Sequence, residues 1–306
     1  MKPGSAPTAA ALTLLRKRHR ALLEADLANV RDGVYPAELL FQLPYRHYAR
    51  VAPRLAADLP RVVGRMKRGD FRDLPTSVDL QQYPAYYRRT FHWQSDGYLS
   101  RRSARMYDLG VEVLFGGTAD VMRRQIIPPI VAGARTQRGT MRILDVGCGT
   151  ARGLSQLMSA LPEGQYDAID LSRWYLQEAA QHVGGGATLT TGNAESLPWP
   201  DATFDTTFSV YLFHELPRAT RRKVWREMLR VTRPGGSVVI MDSLQCADTP
   251  EMSGFADRFD AEMHEPFFAD YQRDDLARGL AEVGLTIEDE RTHFLSKLVV
   301  ASRPSK

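Results

Sequence analysis

This sequence has few cysteines and no long apolar run. Cys148 and Cys246 are the only cysteines among 306 residues, which excludes a disulfide scaffold and a cysteine-rich zinc or iron–sulfur site. No run approaches the roughly 20 apolar residues that a membrane-spanning helix needs. Residues 1–11 lack the basic head and apolar block of a secretion signal. These absences predict a soluble, cytoplasmic protein without a membrane span.

Charge, by contrast, is plentiful and unevenly distributed. Residues 1–139 carry 23 Lys and Arg against 12 Asp and Glu, a net charge of +11. Residues 140–306 carry 17 against 24, a net charge of −7. Such asymmetry occurs in proteins that bind nucleic acid or anionic surfaces. It also arises from solvated helix faces and attraction between the two halves, which is the interpretation we favour.

The first 138 residues have a helical pattern. Apolar residues between positions 12 and 30 follow a period near 3.6, and Ser100 is a suitable N-cap for another helix. Between these two helices, prolines predict that the chain is divided into short segments, and Pro128-Pro129 predicts the end of a later helix. Residues 132–140 are predicted to be a linker. The prolines of the intervening region are Pro44, Pro53, Pro60, Pro75 and Pro84.

From residue 141 onward, short apolar strands alternate with helices. This order predicts a doubly wound, mostly parallel α/β sheet, with two late strands forming an antiparallel pair at one edge. The expected domains are a helical cap over residues 1–138 and a sheet domain over residues 139–306. The predicted strands cover 142–146, 166–170, 188–191, 204–211, 237–242, 285–290 and 297–301.

The most informative segment is residues 142–153, in which a predicted strand runs into a glycine loop. Gly147 and Gly149 permit a tight turn and close approach of a ligand to the backbone. A dinucleotide fingerprint requires a third glycine at position 152, which is Arg152 here. Asp145 precedes the loop, and its carboxylate suits a ligand with a cationic amine better than a pyrophosphate.

This D-x-G-x-G loop resembles motif I of the class I S-adenosylmethionine-dependent methyltransferases, of the type 11-like, small-molecule kind. Asp170 ends the second strand 21 residues after Gly149, where the family has the acid that binds the ribose hydroxyls. Residues 192–199 resemble the family's adenine loop, although Asn193 replaces the usual aspartate. The resemblance implies a Rossmann-like fold and S-adenosylmethionine as cofactor. The implied cofactor-binding residues are Asp145, Gly147, Cys148, Gly149, Asp170, Leu171, Asn193 and Ala194.

Catalytic candidates follow from the chemistry of the cofactor. The methyl group on a sulfonium is already activated, so the protein needs to align an acceptor, exclude water and accept a proton where necessary. His214 follows the fourth strand and is either a base or a packing residue. Tyr211 and Tyr98 are the other candidates. We expect no metal, because no acidic cluster accompanies Asp242.

An aromatic-rich segment spans residues 83–98. Aromatic faces attract cations, so this segment is a candidate lid over the sulfonium, with Tyr83 and Trp93 as cofactor-pocket members. The alternative is an ordinary core between helices.

Three functions remain open on sequence grounds. The leading hypothesis is methyl transfer to a small-molecule acceptor held between cap and core. The second is a cyclase or lyase that closes the aminocarboxypropyl arm of S-adenosylmethionine and releases methylthioadenosine. An RNA-modifying enzyme ranks last, because no RNA-binding motif is recognisable. The acceptor and the oligomeric state are left undetermined.

Overall fold

The computed structural model describes residues 9–137, 139–250 and 264–305. Its centre is a seven-stranded sheet of order β3-β2-β1-β4-β5-β7-β6, in which the first five strands are parallel. Strand β7 runs antiparallel to both β5 and β6. The predicted fold class is therefore confirmed. The strands are β1 Arg142–Val146, β2 Gln165–Asp170, β3 Ala187–Thr191, β4 Phe204–Val210, β5 Thr232–Ser243, β6 Thr286–His293 and β7 Ser296–Ser302.

Helices cover both faces of the sheet, so the central strands are apolar and buried. Helices α1 to α5 precede the sheet and α6 to α10 connect its strands. The first group is α1 Ala9–Arg31, α2 Tyr45–Arg68, α3 Arg101–Leu114, α4 Ala119–Arg123 and α5 Ile127–Thr136. The second is α6 Arg152–Ala160, α7 Arg173–Val183, α8 Arg218–Val231, α9 Phe268–Arg273 and α10 Leu276–Glu282.

The prediction that prolines divide the N-terminal region into short pieces is wrong for α2. This helix runs unbroken through Pro53 and Pro60, although a proline in a helix interior costs about 3 kcal/mol. Hydrogen bonds to residues outside the helix hold its buried face in place. Arg65 donates to the Trp93 carbonyl at 2.9 Å, and Asp58 accepts from Arg102 at 2.7 Å.

The predicted helix end at Pro128-Pro129 is also wrong. Both prolines lie in the first turn of α5, where a missing N–H costs nothing and the fixed φ suits the helix. Helix α5 continues through Thr136, so residues 132–136 are not linker. The Ser100 prediction is confirmed, because its side chain accepts from Ser103 N–H at 3.0 Å.

The N-terminal helices share a hydrophobic core with the sheet. Leu22 and Leu39 belong to the same buried cluster as Ile143 and Leu154. The proposed division at residue 138 stays a prediction, and Arg138 lies outside the described residues. Among those residues, no helix is both long and apolar enough to cross a membrane.

Candidate active site

A cavity of about 120 Å³ opens at the carboxyl ends of the parallel strands. It lies where the chain order reverses between β1 and β4, the usual ligand position in an open α/β sheet. It is lined by all eight residues that the resemblance implies as cofactor-binding: Asp145, Gly147, Cys148, Gly149, Asp170, Leu171, Asn193 and Ala194. We call this the cofactor cavity.

The glycine loop adopts a backbone that other residues rarely tolerate. Gly147 and Gly149 have φ of 73° and 54°. A Cβ at Gly147 would lie 2.8 Å from the Leu212 side chain. The Gly149 N–H donates to the Asp170 carboxylate at 2.9 Å, which ties the loop to the end of β2. Glycine at position 147 is therefore required both by conformation and by space.

Two buried carboxylates face this cavity. Burial, and then the nearby Asp170, raises the pKa of Asp145 well above its usual range, and one Asp145 oxygen is buried without a hydrogen-bond partner. Burial raises the pKa of Asp170 to about 6, against the opposing effect of its backbone hydrogen bonds. A buried, unpartnered carboxylate is costly, so this site favours a ligand that brings a positive charge.

A second, largely apolar cavity of about 400 Å³ adjoins the first. Helices α2 and α3 supply much of its wall, including Leu55, Leu59, Val62, Met106, Val111 and Leu114. Tyr107, Tyr211 and Glu215 line both cavities. We call the second space the acceptor cavity, because it is a pre-formed apolar pocket next to the cofactor position.

Polar side chains gather where the two cavities meet. His214 Nδ1 lies 2.6 Å from Asp242 Oδ1. Glu215 Oε1 lies 3.1 Å from His92 Nε2 and 3.9 Å from His214 Nε2, and it accepts a hydrogen bond from Tyr98 OH. His92 Nδ1 lies 3.1 Å from Glu265 Oε1. We call this group the junction cluster: His92, Tyr98, His214, Glu215, Asp242 and Glu265.

The carboxylates of the junction cluster strongly favour charged imidazoles. Burial lowers the pKa of His214, but Asp242 outweighs it and raises the pKa to about 9. Burial likewise lowers the pKa of His92, but Glu265 and Glu215 outweigh it and raise the pKa to about 10. His92 also has a left-handed backbone, with φ of 51° and ψ of 24°. Strained backbone of this kind is concentrated at functional sites.

The three predicted catalytic residues all reach this region. His214 lines the acceptor cavity, Tyr98 lines the cofactor cavity, and Tyr211 lines both. The Tyr211 hydroxyl shares a hydrogen bond with Ser296. Their catalytic roles stay a prediction.

Tyr83 and Trp93, by contrast, line neither cavity. Tyr83 stacks on Tyr87 with ring centroids 5.6 Å apart. Trp93 packs against His264 with centroids 4.7 Å apart. Sequence pattern does not select His92 or Tyr107 as site residues, although both line the cavities. Tyr107 is one of 12 tyrosines and has no distinguishing local sequence signal. The adjacent pair His214-Glu215 after β4 is a usable signal for a site.

Comparison with known proteins agrees with this geometry. Residues 143–236 match the family model of the methyltransferase domain. The demethylmenaquinone methyltransferase of Anoxybacillus flavithermus is 38% identical over 128 residues, which are 39% of this chain and 49% of that protein. O-methyltransferase cnsE of Penicillium expansum is 29% identical over 156 residues, 48% of this chain and 52% of that protein. The chain thus spans about half the length of the curated relatives it matches.

A crystal structure of an S-adenosylmethionine-dependent methyltransferase from Aquifex aeolicus is also similar. Its TM-score is 0.44 at 21% identity, and the match covers 58% of this chain and 91% of that one.

The fold, the glycine loop and the family match define a class of protein. The chain carries a class I S-adenosylmethionine-dependent methyltransferase domain. S-adenosylmethionine is the cofactor of that domain. The residues present fit this molecule, because the buried and unpartnered Asp145 oxygen suits its ammonium group. Asp170 and Asn193 line the same cavity, and the resemblance predicts that they hold the ribose and the adenine edge.

Cofactor affinity should fall in acid. Above about pH 6 Asp170 is a carboxylate that accepts hydrogen bonds, and below it Asp170 is protonated. Glu215 lies near Asp170 and contributes to its raised pKa, and Asp145, whose pKa is also raised, faces the same cavity, so acid also removes negative charge at Asp145. We expect the dissociation constant of S-adenosylhomocysteine, measured calorimetrically, to rise about tenfold per pH unit below about pH 6. A flat profile between about pH 8 and about pH 5 would contradict this assignment.

Proposed function

We propose that this protein transfers the methyl group of S-adenosylmethionine to a polar atom of a small, largely apolar acceptor held in the acceptor cavity. The observation that carries the proposal is the shared wall. A pre-formed apolar space of about 400 Å³ meets the cofactor cavity at Tyr107, Tyr211 and Glu215. An enzyme that only closes an arm of its own cofactor needs no such second space.

S-adenosylmethionine, when bound, supplies a methyl group on a sulfonium, and the acceptor atom gains that methyl group as it loses a proton. Glu215 lines both cavities and is the carboxylate placed to accept this proton. Tyr98 holds Glu215 through its hydroxyl, and Asp242 holds His214 at 2.6 Å. The apolar walls of α2 and α3 would pack against the apolar part of the acceptor.

The relatives support the class of acceptor without identifying it. One is named a demethylmenaquinone methyltransferase and another an O-methyltransferase. Helices α2 and α3, which shape the acceptor cavity, precede the family match at 143–236. A family match that covers the cofactor-binding part favours a shared cofactor, and leaves the acceptor to be decided by the N-terminal helices.

The deciding experiment is mass spectrometry of the purified protein with S-adenosylmethionine, first alone and then with a metabolite extract. We expect S-adenosylhomocysteine only with the extract, together with a product heavier by one methyl group in place of a hydrogen. Methylthioadenosine from S-adenosylmethionine alone would overturn the proposal and favour the cyclase or lyase reaction.

Filling the acceptor cavity should separate acceptor binding from cofactor binding. Val111 lines this cavity and not the cofactor cavity. We expect Val111→Trp to reduce methyl transfer about 100-fold, because a displaced acceptor loses its alignment. S-adenosylhomocysteine affinity should stay unchanged. Leu27→Trp, at an exposed position of α1 outside both cavities, is the control and should keep full activity. Equal activity of the two variants would show that the acceptor lies elsewhere.

A further inference from the structure

Three side chains of the junction cluster have the composition of a metal site. His92, His214 and Glu215 each offer one ligand atom, and these atoms all lie within 4.8 Å of one another. His92 comes from the 3₁₀ turn Phe91–Trp93, and the other two come from the 3₁₀ turn Phe213–Glu215 after β4. The chain thus brings together donors 123 residues apart in sequence.

The distances suit a small dication. Zinc bonds of about 2.0–2.2 Å in a tetrahedral arrangement separate neighbouring ligand atoms by about 3.3 Å. Glu215 Oε1 is 3.1 Å from His92 Nε2 and 3.9 Å from His214 Nε2. The ligand nitrogens of His92 and His214 lie within 4.8 Å of each other, so binding would draw the two rings closer together around Glu215 Oε1.

A carboxylate lies beside the second ring nitrogen of each imidazole, and Asp242 orients His214 through a hydrogen bond. Metal-binding histidines generally direct their other ring nitrogen at a carboxylate or carbonyl. His214 Nδ1 lies 2.6 Å from Asp242, and His92 Nδ1 lies 3.1 Å from Glu265. Asp242 is itself fully buried and accepts from the Phe213 N–H at 2.7 Å. Both histidines therefore present Nε2 to the same point beside Glu215.

The charge balance of the cluster accommodates a divalent cation, whose two charges would replace the two protons that the imidazoles otherwise hold. Glu215, Asp242 and Glu265 place three carboxylates around two imidazoles, in a region where Asp242 and Glu265 are buried. Buried carboxylates need compensating positive charge. A dication between two neutral imidazoles would supply it.

We propose that His92, His214 and Glu215 bind a divalent transition-metal ion at the junction of the two cavities. Two imidazoles and a carboxylate suit zinc(II) or iron(II), and three protein ligands leave a position open. His92, His214 and Glu215 all line the acceptor cavity, so an acceptor held there would lie next to the ion. A hydroxyl or thiol of the acceptor bound there would ionise more easily. This role, unlike the binding itself, rests on the proposed methyl transfer, and with the ion bound Glu215 would act as its ligand rather than as the proton acceptor.

Metal binding can be measured directly on the full chain. Tag-free protein is stripped with a chelator, dialysed and titrated with zinc(II) in competition with a chromogenic chelator. We expect one zinc ion per chain with a dissociation constant below about 1 µM, within the range of protein zinc sites. Cobalt(II) in place of zinc should give the visible absorption bands of a four-coordinate ion. Absence of stoichiometric binding by the unaltered protein would overturn the proposal.

Variants locate the ion. His92→Gln and Glu215→Gln should each abolish stoichiometric binding. Asp242→Asn, which acts through His214, should weaken zinc affinity about 10- to 100-fold. His19→Gln, a histidine of α1 outside the cluster, is the matched control and should bind like the unaltered protein. Circular dichroism of every variant checks that loss of binding is not loss of fold.

The test is independent of methyl transfer. Binding that persists unchanged in His92→Gln and Glu215→Gln places the ion elsewhere and overturns the proposed site. Metal-free protein that binds no zinc but still methylates an acceptor overturns the metal site alone. Protein that binds zinc at the cluster without consuming S-adenosylmethionine supports the site and contradicts the proposed function.

Discussion

Asp170→Asn should weaken the binding of S-adenosylhomocysteine by about 10- to 150-fold, the equivalent of the roughly 1.5–3 kcal/mol that a hydrogen bond to a charged group contributes. Asp170 ends β2 and lines the cofactor cavity. The amide keeps the shape of the side chain, but Gly149 N–H and Ser172 N–H donate to different carboxylate oxygens, so the amide can accept from only one of them. The expected loss therefore combines the ligand contact with one hydrogen bond of the loop, and circular dichroism checks that the fold is kept. Isothermal titration calorimetry at neutral pH measures the loss of affinity.

The same strand supplies a matched control. Asp167 lies three residues earlier on β2, lines neither cavity and pairs with Arg142 at 3.1 Å. Asp167→Asn should leave the affinity within about twofold, because its partly exposed ion pair contributes little. If both variants bind alike, Asp170 does not hold the ligand.

Asp26→Ala should lower the free energy of unfolding by about 3–5 kcal/mol, because it leaves Arg124 as an uncompensated buried charge. The two side chains are only 5% and 4% exposed and meet through two bonds of 2.6 Å and 2.9 Å. Arg124 also donates to the Leu39 carbonyl, and Tyr35 donates to Asp26. The pair therefore joins helix α1 and the turn after it to the helices next to the sheet. Urea unfolding followed by circular dichroism measures the loss.

Helix α1 also provides the control for this prediction. Glu24 forms an exposed i,i+4 pair with Arg20 at 2.8 Å. Glu24→Ala should cost less than about 1 kcal/mol. The unaltered protein should unfold in one transition, since Leu22 and Leu39 share a core with the sheet. A separate early transition that alone responds to Asp26→Ala would show that the N-terminal helices fold as an independent unit.

Local pattern predicted the sheet half of the molecule closely. The first strand was expected at 142–146 and is observed as Arg142–Val146, and the remaining strands were located in the right order. The cofactor loop was equally accessible, because its glycines and its acids act through backbone geometry and fixed spacing along the chain. All eight loop residues selected in this way line one cavity.

The N-terminal half was predicted less well because local signals compete there with tertiary contacts. Prolines that suggested helix breaks lie inside α2 and at the start of α5. The aromatic segment at 83–98 was equally ambiguous. Its rings divide between the cavities and plain packing, as Tyr98 and Tyr83 illustrate.

Short-range features of the sequence predict the fold class and the cofactor: strand and helix periodicity, and a glycine loop with acids at fixed intervals. No short-range feature predicts the junction cluster or the acceptor cavity. His92 meets Glu215 across 123 residues, and Asp26 meets Arg124 across 98. Such contacts exist only when helices α1 to α5 are packed against the completed sheet. Their formation depends on the burial of distant side chains together, and no local window of residues contains that information.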